Sequence, residues 1–217
     1  MREKIISRIE SEKLIAIVRG LDGTKVLKTA EALYKGGISL LEITFDQSAA
    51  EPQVAADAIA IVQKAFGRDM LVGAGTVLTP TQLTAAVNAG AGFILSPDTN
   101  TEIIKETVKA GLISIPGAFT ASECVTAKTA GADFVKLFPA GNGGAEYLKA
   151  IRAPLNHIKF LCVGGVTEDN IPAFLKAGAV GFGIGGNLVN KAWIDGGEFN
   201  KITELAKRYV NVVTEAK

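Results

Sequence analysis

Apolar residues in this chain are grouped into eight short runs that recur at fairly even intervals. The runs span residues 14–19, 40–45, 70–75, 93–97, 112–117, 134–139, 160–165 and 180–185. Short runs of this kind, rich in β-branched and aromatic residues and followed by turn signals, are typical of strands buried on both faces of a parallel sheet. The pattern therefore predicts eight strands.

The segments between the runs carry the periodicity of amphipathic helices, as in the apolar stripe of Val26, Ala30 and Leu33. Residues 79–82 and 120–123 each form a capping box, which is the sequence signature of a helix start. Ala-Gly pairs end several of these segments directly before the next run. Together these signals indicate a repeated strand–helix unit.

Eight strand–helix units in 217 residues predict an α/β protein with a single TIM barrel, (β/α)₈, over residues 1–217. A doubly wound open sheet is the alternative, but it would normally use fewer strands and often opens with a Gly-x-Gly-x-x-Gly fingerprint. We expect residues 2–9 to form an extra helix at the bottom of the barrel. The tail from Glu198 onward should form the last helix.

Composition narrows the possible partners. The formal net charge is +1 and aromatic residues make up only 6%, which argues against a nucleic-acid-binding surface. The chain has no apolar run of membrane-spanning length and no apolar signal region, so we expect no membrane partner and a cytoplasmic location. Cys124 and Cys162 form no disulfide framework. The lone His157, in a polar loop, offers no metal site, and no cofactor is expected.

Lys136 lies in the middle of the apolar run 134–139. Burial in such a strand disfavours the charged ammonium and lowers the pKa of a lysine, which leaves a nucleophilic amine. Amines of this kind form Schiff bases with carbonyl substrates. The structural alternative is a lysine whose ammonium reaches from the strand end to water.

Glu42 occupies a similar position in the run 40–45. Strand alternation places Glu42 and Thr44 on one face, and because large apolar side chains should face the helices, Glu42 should point into the barrel. A buried carboxylate needs a partner, and Lys136 and Arg19 are the partners expected. Such a pair would suit imine chemistry, with the amine attacking and the carboxylate transferring protons. An ion pair that only fills the barrel is the alternative.

Two glycine-rich loops follow the seventh and eighth runs, at residues 164–167 and 183–187. TIM barrels often bind phosphate there, and we expect free backbone amides followed by a helix N-terminus to hold an anion. Tight turns without a ligand are the alternative. A third segment, residues 73–76, brings backbone to the barrel mouth and adds a hydroxyl that could hold a carboxylate, unless it serves only as a helix cap.

In order and spacing, these residues resemble the family of 2-keto-3-deoxy-6-phosphogluconate (KDPG) and 4-hydroxy-2-oxoglutarate (KHG) aldolases. The motifs that carry the resemblance are Ala16-Ile17-Val18-Arg19-Gly20, Leu41-Glu42-Ile43-Thr44, Gly73-Ala74-Gly75-Thr76-Val77-Leu78, Ser96-Pro97, Ile115-Pro116-Gly117, Lys136-Leu137-Phe138-Pro139 and Gly164-Gly165-Val166. The resemblance implies a class I aldolase on a homotrimeric (β/α)₈ barrel that uses no metal.

The resemblance also implies roles for individual residues. Lys136 would be the Schiff-base lysine and Glu42 the proton-transferring base. The substrate would be held at its carboxylate by Arg19 and Thr76, and at its phosphate by Gly165, Gly185 and Gly186. The implied reaction cleaves a phosphorylated keto sugar acid to pyruvate and glyceraldehyde 3-phosphate, or 4-hydroxy-2-oxoglutarate to pyruvate and glyoxylate.

Three positions depart from the gluconate-type pattern of the family. Asp46 stands where arginine is often found, and Asn187 lies in a loop that commonly carries serine. Val163 is similar to the 6-phosphogalactonate type, which makes it a candidate for controlling stereoselectivity at C4. Two other functions fit the same residues: a phosphosugar epimerase or isomerase that uses Glu42 as base, and a non-catalytic phosphosugar-binding barrel.

Overall fold

The structure, a computed structural model, describes residues 2–49 and 51–216. Its strand segments form one parallel sheet in the order β5-β4-β3-β2-β1-β9-β8-β7-β6. The strands are β1 (Leu14–Arg19), β2 (Leu40–Thr44), β3 (Leu71–Gly75), β4 (Phe93–Leu95), β5 (Ile113–Ile115), β6 (Gly117–Ala118), β7 (Val135–Leu137), β8 (Phe160–Val163) and β9 (Gly181–Ile184).

The fifth predicted strand is divided into β5 and β6 at Pro116. Proline has no N–H to donate to a ladder, so regular pairing stops there. β5 pairs with β4, β6 pairs with β7, and the Pro116 carbonyl accepts a 2.8 Å hydrogen bond from the Lys136 amide. One interrupted strand therefore joins the two ends of the sheet. The fold is the expected (β/α)₈ barrel, and the open-sheet alternative is wrong.

Helices follow the strands on the outside of the barrel. They are α1 (Arg2–Glu12), α2 (Gly23–Lys35), α3 (Gln53–Phe66), α4 (Pro80–Asn88), α5 (Thr101–Lys109), α6 (Ala121–Thr129), α7 (Ala140–Arg152), α8 (Ile171–Lys176), α9 (Lys191–Asp195) and α10 (Phe199–Glu215). Both predicted capping boxes are present, at Thr79 and Thr120. α1 is longer than expected, the last helix begins directly after Glu198, and the short α9 was not expected.

The apolar core has two parts because each strand presents one face to the helices and one to the barrel interior. The larger part lies between the sheet and the surrounding helices. The smaller part fills the barrel interior near its bottom, and its members are Ile9, Ile15, Leu40, Phe93, Leu95, Ile113, Ile115, Phe134 and Leu161. Ile9 comes from α1, so this helix closes the bottom of the barrel as expected.

An ion pair between Arg2 and Asp133 also attaches α1 to the barrel. Arg2 forms two hydrogen bonds, of 2.7 and 2.8 Å, with the carboxylate of Asp133, just before β7. The same carboxylate accepts from the Ser114 amide in β5 at 2.9 Å. Both bonds come from Nη2 of Arg2, while its Nη1 donates to the Leu112 carbonyl. These contacts fix the helix against the strands that it covers.

We expect Ile9→Ala to lower the free energy of unfolding by about 2–4 kcal/mol, because this fully buried side chain leaves a cavity under the barrel. Chemical denaturation monitored by circular dichroism would measure the change. Lys4→Ala, on the exposed face of the same helix, serves as the control and should change stability by less than about 0.5 kcal/mol. Equal effects of the two substitutions would contradict the proposed packing role of α1.

Candidate active site

Lys136 and Glu42 enter the barrel interior from opposite sides. In the sheet order, β2 and β7 are separated by three strands in either direction, once β5 and β6 are counted as one. Leu40 and Phe134 point into the barrel, and alternation places the residues two positions later, Glu42 and Lys136, on the same inner face. Both side chains therefore lie one layer above the apolar barrel floor.

Lys136 is only 2% exposed, so its ammonium has lost most of its water. Its Nζ lies 4.7 Å from the centre of the Phe138 ring, two residues further along the chain. Burial lowers the pKa of Lys136, the Glu42 carboxylate raises it, and the Arg19 guanidinium lowers it. Burial is the largest of these effects, which favours the neutral, nucleophilic amine. The alternative in which the ammonium reaches water is wrong.

The Glu42 side chain is fully buried, and neither of its carboxylate oxygens has a hydrogen-bond partner. The expectation that Glu42 forms an ion pair with Lys136 or Arg19 is therefore wrong for the described structure. The charges act from a distance: burial raises the pKa of Glu42, and both Lys136 and Arg19 lower it. Burial thus favours the protonated carboxyl group, and because neither oxygen has a fixed partner, this group can exchange a proton with a substrate atom that enters the site.

The glycines of β3 make room for this carboxylate. Gly75 is paired with Thr44 of β2, and a Cβ atom at Gly75 would overlap with Oε1 of Glu42. A Cβ atom at Gly73 would overlap with the Phe93 ring below it. The glycines of the motif 73–75 are therefore required by side chains that cross the barrel interior.

Thr76, directly after Gly75, adopts a left-handed backbone conformation with φ of 55°. This conformation is rare for a β-branched residue and indicates local strain of the kind found at binding sites. Its carbonyl accepts a 2.8 Å hydrogen bond from the side-chain amide of Gln47. Thr76 thus lies at the barrel mouth, at the end of the strand next to Glu42.

Arg19 lies at the end of β1 and is paired with Thr44 of β2. It lines a cavity of about 220 Å³ together with both glycine-rich loops, including Gly165, Gly185 and Gly186. Thr76 does not line this cavity. Arg19 ends β1 and Thr76 follows the end of β3, so the end of β2 lies between them. That both residues bind one carboxylate stays a prediction.

The expected helix N-termini do not follow the glycine loops directly. α8 begins at Ile171 and α9 at Lys191, several residues beyond Gly165 and Gly186. The donors available to an anion are instead backbone amides of the loops. Within residues 2–49 and 51–216, the amides of residues 165, 166, 186 and 187 donate to no backbone acceptor. Together with the Arg19 guanidinium, these amides provide the chemistry of an anion site.

Two asparagines that were not assigned a role hold the loops together. Asn170 donates from its side chain to the Gly165 carbonyl at 2.9 Å, and Asn187 donates to the Val166 carbonyl at 3.0 Å. These two hydrogen bonds fix the direction of the Gly165 and Val166 carbonyls. The sequence signal that could have found Asn170 is its position just before α8, where asparagine commonly caps.

Val163, on the inner face of β8, is 3% exposed and borders the same cavity. It packs over Gly183 of β9, where a Cβ atom would come within 2.9 Å of Val163 Cγ2. The wall of the cavity between Lys136 and the glycine loops is therefore apolar at this point. Phe138 also borders the cavity, and its alternation with Lys136 could have predicted that it shares the inner face.

The single histidine and the two cysteines lie outside this site. His157 is exposed, and Cys124 and Cys162 are buried free thiols whose pKa values burial raises to about 11 and about 12. In the part of the chain that the structure describes, no three potential metal ligands of the His, Cys, Asp and Glu types gather. None of the described helices combines the length and apolar character needed to cross a membrane.

Comparison with known proteins gives one consistent family. The family model described as KDPG and KHG aldolase matches residues 5–205. The chain is 34% identical over 204 residues to the 2-dehydro-3-deoxy-6-phosphogalactonate aldolase of Escherichia coli K12, covering 94% of this chain and 95% of the relative. It is 36% identical over 183 residues to the KHG/KDPG aldolase of the same organism, covering 83% of each.

A solved structure supports the same comparison. The KDPG aldolase from Legionella pneumophila, with pyruvate captured at low pH as a covalent carbinolamine intermediate, is 31% identical to this chain. The match has a TM-score of 0.84 and covers 93% of this chain and 96% of the other.

The electrostatics of the site predict how Lys136 titrates. The neutral amine is the reactive form and dominates above its pKa. Glu42→Gln removes the charge that raises this pKa, so the pH midpoint for reductive attachment of pyruvate to Lys136 should fall. Arg19→Gln removes a charge that lowers the pKa, so the midpoint should rise. Attachment rates at saturating pyruvate, measured across pH by mass spectrometry, would test this; a common midpoint in all three proteins would contradict it.

Proposed function

The chain belongs to the KDPG and KHG aldolase family of class I aldolases, and we propose that it cleaves a 2-keto-3-deoxy-6-phospho sugar acid to pyruvate and glyceraldehyde 3-phosphate. The observation that carries the proposal is the buried Lys136 amine opposite a buried, unpartnered Glu42 carboxylate. Arg19 and the amides of the glycine loops provide an anion site at the same barrel mouth.

The reaction begins at C2 of the substrate. The neutral Lys136 amine attacks the C2 ketone and forms a carbinolamine, and loss of water gives an iminium ion. Glu42 transfers the protons that these steps require, and its lack of a fixed partner leaves both oxygens available. Pyruvate captured as a carbinolamine in the Legionella relative supports this order of events.

Cleavage uses the iminium as an electron sink. Glu42 takes the proton from the C4 hydroxyl, the C3–C4 bond breaks, and the electron pair of that bond forms the enamine while glyceraldehyde 3-phosphate leaves. Glu42 then returns the proton to C3 of the enamine, and water hydrolyses the resulting iminium to release pyruvate and the free Lys136 amine. Burial lowers the pKa of this amine and so favours its neutral form for the next turnover.

The proposed substrate orientation rests on the cavity that Arg19 shares with the glycine loops. We assign Arg19, Gly165, Gly185 and Gly186 to the phosphate, since they share one cavity. Thr76, at the end of β3, is assigned to the carboxylate. In this proposal Arg19 binds the phosphate and not, as the sequence predicts, the carboxylate. An anchored phosphate fixes the distance to C2, which supplies orientation for attack. The unphosphorylated 4-hydroxy-2-oxoglutarate should be a poorer substrate because it lacks this anchor.

Among the two C4 epimers, we propose the galactonate form as the better substrate. Val163 gives the cavity wall an apolar surface with no hydroxyl to hold the C4 oxygen. The 34% identity to a 6-phosphogalactonate aldolase over nearly the whole chain supports this choice.

The proposed function predicts turnover and a covalent adduct together. Pyruvate release, measured by coupling to lactate dehydrogenase, should occur with the wild-type chain and be lost in Lys136→Met. Borohydride treatment with pyruvate should add a three-carbon unit to Lys136. Interconversion of phosphosugars without an adduct would indicate an epimerase or isomerase. Binding of the sugar acid without turnover would indicate a non-catalytic barrel.

Val163→Thr should shift the ratio of kcat/KM for the two epimers towards the gluconate form by about tenfold, because a methyl is replaced by a hydroxyl that can hydrogen-bond the C4 oxygen. The two 6-phospho epimers, assayed separately for pyruvate release, give this ratio. Val163→Ile keeps an apolar wall and should leave the preferred epimer unchanged. An identical ratio in the wild type and Val163→Thr would remove Val163 as the determinant.

A further inference from the structure

We propose that Gln47 is a positioning residue for Thr76, through which it controls binding of the pyruvate end of the substrate. The inference rests on the proposed function, since it requires Thr76 to contact the substrate carboxylate. It assigns a role to the loop in which the chain departs from the gluconate-type pattern.

The first observation is the strained backbone of Thr76. A β-branched residue with φ of 55° keeps this conformation only when its surroundings hold it. Within the described residues no backbone N–H donates to the Thr76 carbonyl. The Gln47 side chain supplies that hydrogen bond, at 2.8 Å. The left-handed turn therefore depends on a side chain from another loop.

The second observation is that Gln47 is itself held in place. Gln82 donates from its side-chain amide to the Gln47 oxygen at 3.1 Å. The Gln82 oxygen in turn accepts from the amides of Leu78 and Thr79, at 2.8 and 3.2 Å. The amide group of Gln47 thus uses both its acceptor and its donor within this network. Segment 76–79 is fixed at its first residue by Gln47 and at its end by Gln82.

The third observation concerns the position of Gln47. It follows β2, the strand that carries Glu42, and the Phe45 amide donates to the Gly75 carbonyl at 2.9 Å. The neighbouring Asp46 carboxylate accepts from the amide and hydroxyl of Ser48, so it is directed into its own loop. Gln47 therefore links the strand of the proposed base to the residue proposed to hold the substrate carboxylate.

Loss of the Gln47 donor frees the peptide after Thr76 to relax from its left-handed conformation. The Thr76 hydroxyl then loses its fixed direction at the barrel mouth. The phosphate cavity is lined by β1 and by the loops after β8 and β9, and neither Gln47 nor Thr76 borders it, so it should not respond. Loss of the Gln47 donor should therefore weaken binding of the pyruvate end of the substrate and leave phosphate binding unchanged.

The substitution Gln47→Met tests the positioning role of Gln47, because methionine has a similar length but neither an N–H donor nor a charge. In borohydride trapping, we expect the half-saturating pyruvate concentration to rise about three- to tenfold, the loss typical of one hydrogen bond. The trapping rate at saturating pyruvate should stay within about twofold of wild type. The concentration of inorganic phosphate that half-inhibits cleavage should not change.

Gln63→Met is the matched control. Gln63 also donates from its side chain to the carbonyl of a left-handed residue, Gly90, at 2.6 Å, but at the bottom of the barrel. It should leave half-saturation by pyruvate at the wild-type value. A similar rise in Gln63→Met, or an unchanged value in Gln47→Met, would overturn the positioning role.

A double-mutant cycle separates positioning through Thr76 from a direct contact. In a Thr76→Val background, which already lacks the hydroxyl, Gln47→Met should raise the half-saturating pyruvate concentration little further. A full additional rise would overturn the inference. If the wild-type chain itself fails to trap pyruvate on Lys136, the proposed function fails. If the wild type traps pyruvate and Gln47→Met does so equally well, only the role of Gln47 fails.

Discussion

The interior of this barrel is arranged around two buried ionisable groups that are not bonded to each other. Lys136 and Glu42 stand on opposite strands above an apolar floor. Removing each charge from water costs several kcal/mol, and a direct ion pair would return part of that cost. Because no pair forms, burial lowers the pKa of the amine and raises that of the carboxylic acid. Both shifts bring the groups towards the neutral range in which proton exchange is easy.

Other features of the barrel follow from this arrangement. The bottom must be closed so that water does not reach the two groups from below, and α1 does this with Ile9 and the Arg2–Asp133 pair. The side chains must cross the interior without obstruction, which requires Gly75 beside Glu42. The mouth must remain open, and there Arg19 and the amides of the glycine loops supply hydrogen-bond donors beside the apolar side chains of Phe138 and Val163.

Groups that can bind an anion at the mouth lie in two places, and only one of them is charged. Arg19 lies with the glycine loops, while Thr76 is held by Gln47 at the end of β3. A substrate with an anionic group at each end can bridge these two places with its ketone between them. Because the Arg19 charge also lowers the pKa of Lys136, the residue that we assign to the phosphate helps to keep the nucleophile neutral.

The sequence by itself determined the number of strands, the helix caps, and the inner-facing positions of Lys136 and Glu42. These depend on local periodicity, turn residues and capping, which act over a few neighbouring residues. Only the tertiary structure decided that Glu42 has no partner, that Arg19 joins the glycine loops, that Pro116 divides a strand, and that Gln47 reaches Thr76. These features depend on the order and register of distant strands around a closed barrel, where the separation of two side chains across the interior is set by the whole ring.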